Sequence, residues 1–174
     1  YDNDGNLDLF FTTVYGVASF GRKNNPVLFR NEGDFKFVNA NSETKLEGLG
    51  TTYQAAWADF DNDGDLDLMS AGRFFINEIN NNNNWLKVRL TSKKKTINRF
   101  AVGAQVRVTL KDGKILTRQV ESGTGQGNQN DLVLHFGLGS NDQPVNLNVF
   151  WPDGSSTELK ETQINQKIEV NTEN

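Results

Sequence analysis

Short apolar runs, most of them alternating with polar positions, recur along the chain at 7–14, 27–30, 35–38, 53–57, 85–90, 102–110, 132–136 and 145–151, bounded by Gly, Asn or Asp. A period of two buries one face of a strand and leaves the other in water, and no window sustains the 3.6-residue period, capped at both ends, that a helix requires. Sixteen glycines supply the positive φ angles of tight turns, and only three prolines interrupt the pattern. The pattern predicts an all-β protein. Lys111-Asp112-Gly113-Lys114, between two apolar runs, reads as a two-residue Asp-Gly hairpin, and Trp151-Pro152-Asp153-Gly154 as a strand end entering a turn.

The polar positions divide the chain. Residues 80–84 are all asparagine, a composition that competes for the backbone and favours loop. Before Trp85 there are 13 acidic and 6 basic residues, and from Trp85 onward 9 and 12. A boundary is therefore expected just before Trp85, giving units at 1–84 and 85–174, consistent with 174 residues and roughly 100 to 200 residues per domain. The net charge of -4 gives no long-range attraction for nucleic acid or for an anionic membrane surface. No apolar stretch approaches the roughly 18 residues of a membrane span. With no Cys and a single His, disulfides, thiolate zinc sites and histidine-rich metal sites are excluded.

Self-similarity reveals a repeat with chemical content. Residues 1–9 read YDNDGNLDL and residues 60–68 read FDNDGDLDL, seven of nine identical at an offset of 59. With Asp59 in front, the second copy becomes D-x-D-x-D-G-x-x-D, carrying Asp59, Asp61, Asp63 and Asp67, with Gly64 at the sixth place. Alternate carboxylates in a tight loop converge on one hard cation, and the glycine lets the chain bend around it. Calcium is the expected occupant, because it accepts six to eight oxygens in flexible geometry where magnesium demands an octahedron. Asp65 would contribute its backbone carbonyl, as would Asn6 in the first copy, beside Asp2, Asp4 and Asp8. The twelfth position is Ser70 rather than glutamate and the flanks read as strands, so this is not an EF-hand. The first copy lacks its position-one ligand, which would precede Tyr1, so the chain is expected to be part of a longer protein.

Other candidate chemistry is thin. Gly123, Gly125 and Gly127 are followed by no helix pattern, and no lysine stands at the Walker position, so phosphate binding is not expected. His135 lies in a strand-like run. Asp131 and Arg99 are candidates to join it in a polar cluster, but no nucleophile completes a catalytic arrangement. Lys93, Lys94 and Lys95 read as a solvated loop.

The first 84 residues resemble FG-GAP or VCBS-type repeats, on the D-x-D-x-D-G-x-x-D-L loop, the segment LFRNEGDFKF at 28–37 and its echo FINE at 75–78. From Trp85 on, NWLKVRL, NRFAVGAQVRV, the Gly-rich SGTGQGNQND, LHFGLG and VFWPDGS resemble, in order, the ASPIC and UnbV domain of the acidic cartilage protein family and its bacterial relatives. Gln126, Gly127 and Asn128 depart from that pattern, where an aromatic and a serine are usual. The resemblance implies partial β-propeller blades with calcium between strands, followed by a small antiparallel sandwich or barrel-like domain. It brings no catalytic reaction. The expectation is a non-enzymatic extracellular or cell-surface calcium-binding module, its calcium structural, serving adhesion to a protein or glycan partner. The alternative is an enzyme or accessory protein acting on polysaccharide or in secondary metabolism.

Overall fold

The computed structural model describes residues 1–17 and 19–173. Thirteen strands form four sheets, and α-helix is absent among the described residues, as the pattern predicts. β1 (Leu9–Phe11), β2 (Val27–Asn31) and β3 (Phe37–Asn39) make one antiparallel sheet. β4 (Ala55–Ala58), β5 (Asp67–Ser70) and β6 (Arg73–Phe75) make a second, with the acidic loop joining β4 to β5. Their shared core is small: Leu28, Ala40, Leu46 and Leu68 are buried, and Phe10 meets Trp57 edge-on at 6.0 Å.

The remaining strands pack face to face. β7 (Asn84–Thr91) lies between β10 (Leu134–Gly139) and β13 (Lys167–Asn171), over a sheet ordered β12 (Ser156–Thr162), β11 (Val145–Phe150), β8 (Gln105–Thr109), β9 (Ile115–Gln119). Alternation places Leu86, Val88 and Leu90 of β7, Phe136 of β10, Val106 and Val108 of β8, and Val145, Leu147 and Val149 of β11 in one core. No sheet closes into a barrel among the described residues. Pairing is antiparallel except that β13 runs parallel to β7. A parallel neighbour needs a long crossover, and here the chain from β8 through β12 supplies it.

The 111–114 hairpin differs from its two-residue expectation. Leu110 N–H donates to the Lys114 carbonyl at 2.9 Å, and Gly113 N–H to the Leu110 carbonyl at 3.0 Å, so three residues form the loop. Gly113 has a φ of 87° while Asp112 is not left-handed, and a type I′ turn needs both. The turn at 151–155 repeats the arrangement, with Gly154 at φ 84°.

Trp85 and Lys87, on the face of β7 turned away from the sandwich core, bear on the acidic loop, while Arg89 on the same face is exposed. Trp85 covers Gly64, where a Cβ would stand 2.1 Å from the indole. Gly137 of β10, paired with Trp85, lies against Asn3, whose Cα would be 2.6 Å from an added Cβ. The outer face of this sheet therefore bears directly on both copies of the repeat.

Candidate metal centre

The two copies fold alike because they share the same local hydrogen bonds. Asp63 N–H donates to Asp61 Oδ1 at 3.3 Å and Asp65 N–H to Asp63 Oδ1 at 2.9 Å; in the first copy Asp4 N–H donates to Asp2 Oδ1 at 3.2 Å and Asn6 N–H to Asp4 Oδ1 at 2.7 Å. These are Asx turns, in which a side-chain oxygen accepts from the backbone two residues on. Asn62 and Asn3 take left-handed φ values of 65° and 60°, and Gly64 and Gly5 of 100° and 87°. Asparagine and glycine are the residues that enter this region at least cost.

Asp59, Asp61 and Asp67 bring one carboxylate oxygen each within 4.8 Å of one another. Asp67 is buried at the start of β5, its oxygens accepting from Phe60 N–H at 2.7 Å and Asn77 N–H at 2.8 Å. Asp59 Oδ2 accepts from Gly64 N–H at 3.0 Å. Asp59 Oδ1 is buried and has no hydrogen-bond partner. An orphaned buried carboxylate oxygen is costly, and a hard cation relieves that cost. Asp63 lies outside the group of three, and Asp65 turns its side chain to Asn3, accepting from Asn3 Nδ2 at 2.7 Å. Asp2, Asp4 and Asp8 do not draw together as a comparable set among the described residues. Asn6 caps Asp4, donating from Nδ2 to Asp4 Oδ2 at 2.8 Å.

The electrostatics express the crowding. Burial, reinforced by repulsion from Asp63, Asp59 and Asp67, pushes the Asp65 carboxyl up to about 6. Asp63 is raised by burial and by Asp61 and Asp59, and Asp2 by burial and by Asp4 and Asp8. All-oxygen donors, a net negative charge and an orphaned buried oxygen fit a hard divalent cation.

Two kinds of participant escape notice in the repeat itself, a pair of asparagines and a lysine. Asn77 donates its N–H to Asp67 Oδ1 and its Nδ2 to the Leu66 carbonyl at 3.2 Å; Asn31 does the same for Asp8, at 2.8 Å, and the Leu7 carbonyl, at 3.1 Å. Their sequence signal is the Asn-Glu pair shared by the 28–37 segment and its echo. The other is Lys87, which nothing in the local sequence marks. Its Nζ donates to Asp59 Oδ2 at 2.5 Å, with both side chains at or below 5% exposure.

His135 of β10 is paired with Lys87 across the sheet, and its Nε2 lies 2.8 Å from the Gly64 carbonyl. A carbonyl only accepts, so the neutral ring carries its proton on Nε2. Desolvation lowers its pKa to about 4. Asp131 and His135 line one cleft of about 490 Å³, whereas Arg99 lies away from it over Phe100. The Gly-rich loop follows the free edge of β4: Asp131 N–H donates to the Trp57 carbonyl at 3.0 Å, Trp57 N–H to Asn130 Oδ1 at 3.0 Å, and Asn128 Nδ2 to the Ala55 carbonyl. Lys94 pairs with Asp153 at 3.2 Å and Lys93 with Glu173 at 3.7 Å. Among the described residues no helix is long and apolar enough to cross a membrane.

Strand-flanked acidic loops beside a β sandwich agree with the family models that match the chain: an FG-GAP-like repeat over residues 1–70 and the ASPIC and UnbV model over 94–174. The chain thus carries an FG-GAP-like repeat followed by an ASPIC and UnbV domain. Among curated proteins it is similar to cartilage acidic protein 1 of Homo sapiens, 31% identical over 180 residues, and to that of Mus musculus, 30% identical over 180 residues. The Xenopus tropicalis protein of the same name is 31% identical over 182 residues. In each case 98% of this chain is matched, and it spans 27% of the relative's length.

Proposed function

We propose that the chain is a non-enzymatic extracellular or cell-surface module in which calcium, held by the Asp59 loop, is structural and the two units at 1–84 and 85–174 together present a surface for a protein or glycan partner. The observation that carries the reading is Asp59 Oδ1, buried and unpartnered beside Asp61 and Asp67. Asp59, Asp61, Asp63 and Asp67 would hold the ion through side chains and Asp65 through its carbonyl. The first copy, through Asp2, Asp4, Asn6 and Asp8, would be a second place for calcium. Bound calcium would neutralise the loop and fix β4 to β5. The relatives' name, cartilage acidic protein, supports an extracellular setting.

Extracellular calcium modules bind with dissociation constants of about 10⁻⁴ to 10⁻³ M. Calcium at tenfold above such a constant stabilises each site by about 1.4 kcal/mol. Thermal unfolding in chelator and in a calcium series to several millimolar, with magnesium as control, tests this. The expected result is a calcium-specific rise in Tm that disappears in a variant carrying Asp61→Ala and Asp63→Ala. An unchanged Tm in the unaltered protein would sink the calcium assignment.

A further inference from the structure

Asp59 divides its two oxygens between different tasks. Oδ2 accepts from Gly64 N–H within the loop and from the Lys87 ammonium of β7, while Oδ1 is buried without a partner. Lys87 Nζ also stands 3.4 Å from Asn62 Oδ1, so the ammonium sits against the loop at two points. Trp85 and His135, its neighbours on the outer face of the sheet, are both in contact with Gly64. Lys87 thus engages Asp59 through Oδ2 and not through the free Oδ1, from a position 28 residues away in sequence.

We infer that Lys87 is an affinity-setting counter-ion of the Asp59 loop: a fixed positive charge that holds the loop together when no divalent cation is bound and weakens calcium when one is. This deepens the calcium reading of the loop and rests on it. The physical reason is that lysine and calcium use different oxygens of one carboxylate. Lys87 therefore need not leave when the metal binds, and its charge repels the ion while its hydrogen bond orients Asp59. A buried carboxylate deprived of its ammonium is left uncompensated, which is strongly unfavourable unless another cation replaces it. Removing the ammonium should then make the protein more dependent on calcium and make calcium bind more tightly.

The test uses the whole chain with Lys87→Met, a neutral side chain of similar length, and with the double variant Asp59→Asn, Lys87→Met. Tm is followed in chelator and in calcium chloride, and calcium binding is followed by titration calorimetry. For Lys87→Met the expected results are a large fall of Tm in chelator, recovery of most of it in calcium, and calcium affinity raised on the order of tenfold or more. If the variant is unfolded in chelator, calcium-driven refolding is the supporting result, and failure of calcium to refold it overturns the inference. The double variant should regain Tm in chelator relative to Lys87→Met and lose calcium affinity. An equal fall of Tm with and without calcium, at unchanged affinity, overturns the inference and leaves Lys87 as an ordinary buried ion pair. No calcium response in the unaltered protein by either readout removes the calcium reading and this inference together, and is a different result.

Discussion

At the level of single residues, the acidic loops depend on groups whose charge is set by burial. His135 is held neutral with a pKa near 4 against the Gly64 carbonyl, and Asp65 is raised to about 6. The two have opposite consequences. A histidine depressed in the folded state contributes stability that is complete above its unfolded value of about 6.5 and is lost as pH falls toward 4. A carboxyl raised in the folded state destabilises as it ionises, so its effect makes the protein less stable as pH rises from about 4 to 6. The Asp65 effect is common to the unaltered protein and to His135→Gln, so their difference isolates His135. Between pH 7 and pH 5 the unaltered protein should lose about 2 kcal/mol relative to His135→Gln. Urea unfolding at the two pH values checks it, and parallel losses in both proteins would count against the neutral, buried imidazole.

Elements meet through close backbone approaches. Gly137 has no left-handed φ requirement, so its small size matters only because Asn3 lies against it, 2.6 Å from the place a Cβ would take. Gly137→Ala should cost about 1 to 3 kcal/mol by overpacking. Gly123→Ala is the control: nothing stands within 4 Å of its added Cβ, and it should leave stability within about 0.5 kcal/mol. Denaturant midpoints at a shared m-value measure both, and similar midpoints for the two variants would contradict the docking of β10 on the first repeat. The Gly-rich loop acts at the same scale. By hydrogen-bonding along β4 through Asn128, Asn130 and Asp131, it covers a strand edge that would otherwise be open to pairing with another chain.

For the molecule as a whole, the hydrophobic cores are unequal. The sandwich joins buried residues from β7, β8, β9, β10, β11 and β13, while the two small sheets share Leu28, Ala40, Leu46 and Leu68 with a few half-buried aromatics. Two small sheets with so little buried apolar surface do not outweigh the entropy of ordering their chain. Residues 84–174 alone should therefore unfold cooperatively, and residues 1–83 alone should not, as read by circular dichroism in urea. A cooperative transition in the isolated 1–83 segment would show that the sandwich is not what organises the repeats. Calcium should narrow this difference, because metal binding to the folded loop is folding free energy.

The strand order of polarity, the turn glycines and the repeated D-x-D-x-D-G loop were legible because they are local. Alternation buries one face whatever the partner, and an Asx turn is closed within two residues, so the all-β class and the Asx turns of both loops follow from adjacent letters, whereas among the described residues only Asp59, Asp61 and Asp67 converge. The parallel placement of β13 and the cover of β4 by the Gly-rich loop were decided only when distant segments packed. Lys87 is the sharpest instance. Its neighbours in sequence mark it as one more residue of an apolar strand, and it becomes a buried partner of Asp59 because the outer face of β7 happens to close over the loop. Sequence spacing determines which oxygens can meet a cation, whereas the tertiary structure determines which other charges are already there, because electrostatic interaction depends on distance in space and on exclusion of water.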